Sequence, residues 1–439
     1  MTKNINQYIL FGCLCMIACL AGCKKDSSGT GHDAGTPIVV NTFLPVQGGG
    51  GTEVLFSGSN YINDTNQITV TLNGKPLKVV GVNGSQIMAV VPKKAGSGHF
   101  VVKIGADSAV STGIFNYVYT RTVSTFAGSG KAGFANGMGT DAMFDFGGQS
   151  WYRSMGIIVD DNLNLYVADP GNHCIRKIDS NANVTTFCGS PSGAGYADGK
   201  GTAAKFSLPY DVAFDAQGNI WCVDPANWDI RKIAPDGTAT TWAWGSQSPW
   251  SVSVDKTTGI VYYGSNSSPG NIYPVTAQWT TGSAIVSGLN YPAGIRFDKS
   301  GNLFVVLNGD HVIKKYTAGA WAGSTIAGQT GVPGYVNGAA AVAKFDHPWG
   351  LAIDTAGNLY VAGNGTYDGN TGNSDQAIRY IEAASFNVST FAGSGSAGYA
   401  DAVGEAAAFS APTGIAVDKN GTLYVLDKNN NRIRKIISE

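Results

Sequence analysis

A segment that recurs six times along the chain is the feature that most constrains how it can fold. In each copy a short apolar run ends in an aspartate, and a tight turn and a second apolar run follow. The six aspartates are Asp160, Asp215, Asp255, Asp298, Asp354 and Asp418. Two short apolar runs that flank a turn containing Gly or Asn predict a β-hairpin. Such regular repetition is typical of proteins assembled from similar structural units.

Most copies continue with a third and a fourth apolar run. The third runs span residues 175–178, 230–233, 312–315 and 433–436, and residues 184–187 are an example of the fourth. Four strands in each unit predict a blade of a β-propeller. The set resembles the NHL repeat, most closely at residues 167–178 (Val-Ala-Asp-Pro-Gly-Asn-His-Cys-Ile-Arg-Lys-Ile). The resemblance implies a six-bladed β-propeller over residues 121–439.

The two ends of the repeat array predict how this propeller closes. Residues 123–130 return almost unchanged as residues 388–395, but the first copy precedes any complete unit. The sixth unit ends with its third strand near the C-terminus and leaves no room for a fourth. We therefore expect an N-terminal strand near Val123 to complete the sixth blade, which would remove an open sheet edge.

The first 23 residues have the pattern of an export signal. Lys3 precedes an apolar run over residues 8–20, and Leu-Ala-Gly-Cys ends at Cys23. This pattern resembles the lipobox of bacterial lipoproteins, which implies a signal peptide over residues 1–22 and acylation of the Cys23 thiol. A transmembrane anchor is the alternative, but an apolar run of about 13 residues is shorter than the roughly 20 needed to span a bilayer.

The residues after Cys23 bear on localisation. Residues 24–26 (Lys-Lys-Asp) resemble the charged residues that follow the lipidated cysteine in surface-exported lipoproteins of Bacteroidota. The resemblance implies an outer-membrane lipoprotein that is displayed on the cell surface and held to the membrane by lipid only. Residues 23–36 are rich in Ser, Gly and Asp, which predicts a flexible linker.

Residues 37–120 contain strand-like segments separated by turn signals, over a length that suits a compact β-sandwich. Residues 48–61, 70–76 and 86–104 resemble an IPT/TIG immunoglobulin-like domain. The resemblance implies an N-terminal immunoglobulin-like β-sandwich and says nothing of a ligand. The predicted fold class is therefore all-β, with this sandwich followed by the six-bladed propeller.

The overall charge excludes one class of partner. The formal net charge is -1 and 13% of residues are charged. A chain without a basic surface has little electrostatic attraction for a phosphate backbone. We therefore expect no nucleic-acid partner.

In propellers, the connections from one blade to the next and the connections between second and third strands lie on one face, called the loop face below. Inserts that contain an aromatic residue precede units 1, 2, 5 and 6, at residues 133–137, 195–199, 334–338 and 398–401. Units 3 and 4 lack such inserts. We interpret the inserts as packing loops, with each aromatic ring placed on its own blade.

Large aromatic residues share one repeat position, at the start of the first strand of a unit. They are Tyr210, Trp250 and Trp349, with Trp151 and Trp228 as candidate neighbours on the loop face. The polar side chains expected beside them are Asp211, Gln247, Asp346 and His347. Flat rings with a few polar groups suit a sugar, whereas rings that only plug the channel are the alternative. The sequence predicts a non-catalytic binding module for an extracellular glycan or protein ligand.

The sequence gives less support to a catalytic function than to a binding function. The resemblance to NHL propellers implies a relation to lyases and lactonases, which use zinc-binding histidines or calcium-binding carboxylates near the propeller axis. The residue at the start of the first strand, however, is not histidine in any unit. Histidines on loops of this face belong to different units: His173, His311 and His347. Aspartates that end second strands are interpreted as turn caps: Asp169, Asp224 and Asp427. We expect no catalytic residue, metal or cofactor. A metal-dependent lyase or hydrolase and a protein–protein interaction scaffold remain alternatives.

Two cysteines form a candidate disulfide. If Ile178 faces Val184 across a turn, then Cys174 falls opposite Cys188. Outside the cytoplasm such a pair can form a cross-strand disulfide. Other units have alanine at equivalent positions, so the fold does not require this bond.

Overall fold

The computed structural model describes residues 31–147, 154–363 and 375–439. The chain divides into two compact units, Met1–Val118 (unit 1) and Tyr119–Glu439 (unit 2). The predicted signal peptide, Cys23 and Trp151 lie outside the described residues. Strands dominate both units, and short 3-10 helices occupy Thr65–Gln67, Gly139–Asp141, Pro170–Asn172, Gly201–Ala203, Gly404–Ala406 and Lys428–Asn430. Within the described part of the chain, no helix has the length and apolar character needed to cross a membrane.

Unit 1 contains two four-stranded antiparallel sheets and a short parallel pair. The first sheet has the order β1 (Val39–Leu44), β3 (Glu53–Ser59), β7 (Gln86–Val90) and β6 (Lys78–Asn83). The second has the order β5 (Lys75–Pro76), β4 (Ile68–Leu72), β8 (Phe100–Ile104) and β9 (Asp107–Val110). The parallel pair joins β10 (Asn116–Tyr117) to β2 (Gln47–Gly48).

The core of unit 1 follows from the two-residue period of its strands. In β4, for example, Ile68, Val70 and Leu72 are buried and the residues between them are not. Phe56 from one sheet and Phe100 from the other meet edge to face, with ring centroids 4.8 Å apart. Because successive side chains of a strand point to opposite faces, this alternation buries one face of each sheet against the other.

Unit 2 contains six antiparallel sheets, numbered in chain order. Sheet 1 has the order β12 (Gly137–Met138), β16 (Asn183–Gly189), β15 (Cys174–Ile178), β14 (Leu165–Asp169), β13 (Ile157–Val159). Sheet 2 has the order β17 (Gly199–Lys200), β21 (Thr238–Trp244), β20 (Asp229–Ile233), β19 (Ile220–Asp224), β18 (Asp211–Phe214). In sheet 3, β22 (Ser251–Val254), β23 (Val261–Gly264) and β24 (Gly270–Ala277) are followed by β25 (Thr280–Thr281) and β26 (Val286–Leu289), which both pair with β24.

The last three sheets have four strands each. Sheet 4 contains β27 (Pro292–Phe297), β28 (Leu303–Leu307), β29 (Val312–Tyr316), β30 (Gly323–Gly328). Sheet 5 contains β31 (Leu351–Ile353), β32 (Leu359–Ala362), β33 (Gln376–Ile381), β34 (Val388–Gly395). Sheet 6 contains β35 (Pro412–Val417), β36 (Leu423–Asp427), β37 (Arg432–Ser438) and, from the start of the unit, β11 (Arg121–Ala127). Among the described residues every sheet is open, and none closes on itself.

The repeated aspartates stabilise the first turn of each sheet. Asp160 Oδ1 accepts hydrogen bonds from the backbone N–H groups of Asn162 and Asn164, at 2.9 and 2.8 Å. Four further aspartates of the repeat accept from the same two relative positions: Asp215, Asp298, Asp354 and Asp418. Short polar side chains that satisfy nearby backbone groups favour tight turns. The recurrence of this residue is therefore explained by turn structure.

Six strands, one from each sheet, lie around a common centre, and we call them the first strands: β13, β18, β22, β27, β31 and β35. The first strands of consecutive sheets contact one another, and β35 of sheet 6 contacts β13 of sheet 1. Residues from all six of these strands line one cavity of about 210 Å³. Both Arg296 and Lys256 lie in its lining.

Strand β11 joins the two ends of unit 2. It runs antiparallel to β37, with Arg121 opposite Ser438 and Val123 opposite Ile436. The Thr120 and Glu439 backbones exchange two hydrogen bonds of 2.7 and 2.9 Å. Sheet 6 thus combines residues from the beginning and the end of the unit.

The predicted pairing of Cys174 with Cys188 is corrected by a bulge. Pairing between β15 and β16 shifts by one residue between Ile175 and Arg176, so that Cys174 lies opposite Gly189 and Ile175 lies opposite Cys188. Both thiols are free and buried, as is that of Cys222. Burial raises the pKa of the Cys188 thiol to about 12, which keeps it protonated and unreactive at neutral pH.

Deleting residues 432–439 should abolish the cooperative unfolding transition of unit 2, because the deletion exposes an edge of β36 and leaves β11 without its partner. Thermal denaturation followed by circular dichroism of the deletion variant and the parent tests this. Survival of the parent's transition in the variant would contradict the role given to β11 and β37.

Candidate functional site

Four buried arginines hold the inserts that precede sheets 1, 2, 5 and 6. In sheet 6, Arg434 donates hydrogen bonds to the carboxylates of Asp427 and Asp401, at 2.8 and 2.6 Å, and to the backbone carbonyl of Ala400, at 2.8 Å. Its guanidinium lies over the Tyr399 ring, 4.9 Å from the centroid. The insert that precedes sheet 6 is thereby fixed to the third strand of that sheet.

The same arrangement recurs in sheets 1, 2 and 5. Arg176, Arg231 and Arg379 each donate to the side chain of the insert's Asn or Asp, at 2.8, 2.9 and 2.8 Å. Their guanidinium groups lie over the aromatic rings of the inserts: Phe134, Tyr196 and Tyr335. The interpretation of the inserts as packing loops agrees with these contacts. The side chains of all four arginines are fully buried.

Sheets 3 and 4 lack both the insert and the arginine. Tyr273 stands at the arginine position in sheet 3 and stacks on Tyr263, with ring centroids 5.1 Å apart. Lys314 stands there in sheet 4. An insert held by a buried arginine therefore accompanies four of the six sheets and not the other two.

Aspartates at the ends of second strands position the incoming loops. Asp224 accepts hydrogen bonds from the backbone N–H groups of Ser207 and Leu208, at 2.6 and 2.7 Å. Asp169 and Asp427 accept in the same way from Asp145 and Ser410. All three carboxylates are buried. These carboxylates bind the backbone of the loop that precedes the first strand. Their interpretation as caps of the turn that follows is corrected, because neither Asp169 nor Asp427 accepts a capping hydrogen bond from that turn's backbone.

The aromatic residues at the strand-start position are mostly core residues. Tyr210 and Trp349 are 0% and 1% exposed, and both belong to one apolar cluster that also includes Met155. Trp250 is half-buried and meets Tyr210 edge to face, with ring centroids 4.9 Å apart. Stacking of a sugar requires an exposed ring face, so Trp349 and Tyr210 do not provide one in this conformation, and Trp250 retains part of its surface.

The polar residues predicted beside these rings already have partners. Asp211 is fully buried and accepts two hydrogen bonds of 3.1 Å from Arg296, which links sheet 2 to sheet 4. Gln247 Oε1 accepts from Ser265 Oγ at 2.6 Å and from Asn271 Nδ2 at 3.2 Å. Polar groups paired in this way stabilise the fold and contribute little to a ligand site.

Three exposed aromatic residues belong to sheet 2 and to the insert that precedes it, and we call them the aromatic ledge: Tyr196, Trp228 and Trp244. They are 48%, 52% and 46% exposed. The rings of Tyr196 and Trp244 lie 5.3 Å apart at an interplanar angle of 35°. Trp228 precedes Asp229, which pairs with Trp244, and the carbonyl of Trp228 accepts a hydrogen bond from Gly245.

Sequence reasoning found Trp228 but missed Trp244 and treated Tyr196 only as a packing residue. The signal for Trp244 was available in the alternation of β21, in which Ala239, Thr241 and Ala243 are buried and Trp244 falls on the exposed side. A tryptophan that a strand directs to solvent is rarely needed for packing. Tyr196 both packs against the sheet and presents a surface to solvent. Its ring lies against the Arg231 guanidinium, while nearly half of the residue stays exposed.

Two of the three loop histidines converge. His311 and His347 meet edge to face with ring centroids 4.4 Å apart, and His347 Nδ1 lies 2.6 Å from Asp346 Oδ1. Burial lowers the pKa of His311. His173 lies elsewhere, with Nδ1 2.7 Å from the carbonyl oxygen of Ser207. The predicted residues Asp346 and His347 therefore belong to a polar cluster at the junction of sheets 4 and 5, away from the ledge residues of sheet 2.

Asp229 is an unusual buried acid beneath the ledge. It is fully buried, and among the described residues neither of its carboxylate oxygens accepts a hydrogen bond. Arg231 Nε is 3.8 Å from Oδ2, too far for a hydrogen bond. Burial, reinforced by the nearby Asp224 carboxylate, raises the pKa of Asp229 to about 8. The carboxyl group is therefore mostly protonated at neutral pH.

Asp229→Asn should stabilise the protein at pH 8 and above by about 1–3 kcal/mol, since it removes a buried carboxyl that must ionise there. In the parent, the pKa of Asp229 is about 4 in the unfolded state and about 8 in the folded state, so between these pH values only the folded state keeps the proton. The free energy of unfolding therefore falls as the pH rises through this window. Urea unfolding of both proteins from pH 5 to pH 9 measures the effect. An equal difference at every pH would contradict a protonated Asp229.

Comparisons with known proteins complement this geometry. A model of the IPT/TIG domain matches residues 38–120, and a model of the NHL repeat matches residues 409–436. Among curated proteins, the chain is 28% identical over 321 residues to Protein SUPPRESSOR OF QUENCHING 1, chloroplastic, of Arabidopsis thaliana, covering 70% of this chain and 26% of the relative. It is 29% identical over 306 residues to human NHL repeat-containing protein 2, covering 66% and 39%. The chain thus spans well under half the length of these curated relatives.

Solved structures from Bacteroides are similar over nearly the whole chain. A structural genomics protein of unknown function from Bacteroides thetaiotaomicron has a TM-score of 0.63 at 20% identity, with 93% of this chain and 100% of that chain covered. An auxiliary nutrient binding protein from Bacteroides ovatus has a TM-score of 0.55 at 24% identity, with 93% and 100% covered. One from Bacteroides thetaiotaomicron has a TM-score of 0.56 at 23% identity, with 94% and 100% covered. These likenesses show a shared fold. The chain carries an IPT/TIG domain over residues 38–120 and an NHL repeat over residues 409–436.

Proposed function

We propose that this protein is a surface-displayed outer-membrane lipoprotein whose unit 2 binds an extracellular oligosaccharide without catalysis. The observation that carries the proposal is the aromatic ledge, where the exposed rings of Tyr196 and Trp244 lie 5.3 Å apart and the exposed Trp228 follows in the adjoining connection. Two structures with the same fold are described as auxiliary nutrient binding proteins of Bacteroides, which supports a binding role.

The proposed architecture is a six-bladed β-propeller over residues 121–439, preceded by the signal peptide (1–22), the linker (23–36) and the IPT/TIG domain (37–120). The contacts between successive first strands and the pairing of β11 with β37 support six blades closed by the N-terminal strand. In such a ring the connections between second and third strands share one face, so Trp228 and the inserts point to the same side as Trp250.

The chemistry of the ledge suits a sugar. The C–H faces of a pyranose ring stack on flat aromatic rings, and its hydroxyl groups require polar neighbours. Asp198 lies two residues after Tyr196, and its side chain is 49% exposed while one oxygen accepts from Arg231. A carboxylate at the rim of an exposed aromatic pair can accept hydrogen bonds from sugar hydroxyls. Trp250, half-buried near the centre of the same face, is the candidate for a second contact.

Trp244→Ala and Trp228→Ala should each weaken binding of the best oligosaccharide from a glycan screen by roughly 1–3 kcal/mol, the range found when stacking aromatics are removed at other sites. This corresponds to about a 5–150-fold increase in Kd. Isothermal titration calorimetry with the purified full-length protein provides the measurement.

The matched control is Trp279→Ala. Trp279 is 57% exposed but lies at the turn between the third and fourth strands of sheet 3, at the end opposite the loop face. Its removal should leave the affinity unchanged. Equal affinity in the parent and both ledge variants would place the ligand elsewhere, and equal loss in the control would indicate an effect unrelated to the ledge.

Labelling of expressing cells with a radioactive fatty acid should yield a labelled protein, and Cys23→Ala should remove the label. The remaining cysteines of the mature chain, Cys174, Cys188 and Cys222, are buried and serve as internal controls against adventitious acylation. Label retained in Cys23→Ala would contradict lipidation at this residue.

A further inference from the structure

The junction between sheets 4 and 5 contains a cluster that the binding proposal does not use. One ligand atom from each of His311, Asp346 and His347 lies within 4.8 Å of the other two. His311 belongs to the connection between β28 and β29, and the other two residues precede β31. Two imidazoles and one carboxylate are a donor set that suits Zn²⁺ and related transition-metal ions.

The backbone of this cluster is already fixed. The Asp346 backbone N–H donates to the carboxylate of Asp375, which is paired with the buried Arg379. His311 and His347 both have left-handed backbone conformations, with φ of 60° and 50°, and Pro348 follows His347. Ligands that the fold holds in place lose little entropy when they bind a metal.

Comparison with sheet 6 shows that the fold does not require these side chains. Phe409-Ser410-Ala411-Pro412 precedes sheet 6 where Phe345-Asp346-His347-Pro348 precedes sheet 5. The Ser410 N–H donates to Asp427 as the Asp346 N–H donates to Asp375, and Ala411 has a φ of 49°, close to that of His347. Serine and alanine thus suffice for the structural role. The carboxylate and the imidazole at the sheet 5 position are additional chemistry.

We propose that His311, Asp346 and His347 form a Zn²⁺ site on the loop face, separate from the strand-start positions and from the aromatic ledge. Zinc bonds of about 2.0–2.1 Å in tetrahedral geometry place ligand atoms roughly 3.4 Å apart, so side chains within 4.8 Å need only a small rotation to close on the ion. The His347 backbone N–H donates a long hydrogen bond of 3.2 Å to His311 Nδ1. When His311 Nδ1 binds the metal, a coordinate bond replaces this hydrogen bond. Three protein ligands leave a fourth position for water or a ligand group.

Zinc titration of the purified full-length protein tests the site. The parent should bind one Zn²⁺ per chain, and Co²⁺ should give the intense visible absorption of a four-coordinate ion. The double substitution Asp346→Ser with His347→Ala reproduces the sheet 6 sequence, should fold with the parent's melting temperature, and should weaken binding by about 100-fold or more. His173→Ala is the matched control, because His173 occupies the position of His311 in sheet 1 and should leave zinc binding unchanged.

Absence of stoichiometric binding in the parent would overturn the proposal. Unchanged affinity in a folded double variant would also overturn it, because the zinc would then bind elsewhere. If glycan binding is lost in the ledge variants while zinc binding persists, the two sites are distinct, as the separation between sheets 2 and 5 predicts.

Discussion

Burial of a guanidinium group inside four of the six sheets is the interaction on which the position of the inserts depends. A buried charge is costly unless opposite charge and hydrogen bonds compensate for lost water, and removing one partner of such a pair costs about 3–5 kcal/mol. Arg434 meets this condition with two carboxylates, backbone carbonyls and aromatic rings. The insert supplies one carboxylate, one carbonyl and one ring. Insert and sheet are thus stabilised together.

The need to satisfy a buried arginine explains which sheets carry an insert. In sheets 1, 2, 5 and 6 the insert supplies part of the hydrogen bonding of a buried arginine, which would be lost without the insert. Sheets 3 and 4, with Tyr273 and Lys314 at that position, have no such requirement. The aromatic ledge lies on sheet 2, and the His311 cluster lies between sheets 4 and 5.

The sequence predicted turns and strands better than it predicted which side chains are buried. Repeated aspartates such as Asp160 identified the hairpins because the turn itself requires them. The pairing of Cys174 with Cys188 was wrong because a bulge between Ile175 and Arg176 shifts the register, and no residue pattern marked that bulge. The shared repeat position of Tyr210 and Trp349 indicated convergence, but not that both rings would be covered by neighbouring strands. Burial of that kind depends on contacts between sheets, which a repeat alignment does not contain.

Hydrogen–deuterium exchange of an Arg231→Met variant tests most directly whether buried arginines hold the inserts in place. In the parent, the Gly195 and Ala197 amides donate to Phe206 and Lys205, and the Gly398 and Ala400 amides make the equivalent bonds in sheet 6. The account predicts faster exchange at Gly195 and Ala197 in the variant, with Gly398 and Ala400 unchanged. Equal protection of both inserts in the variant would contradict it.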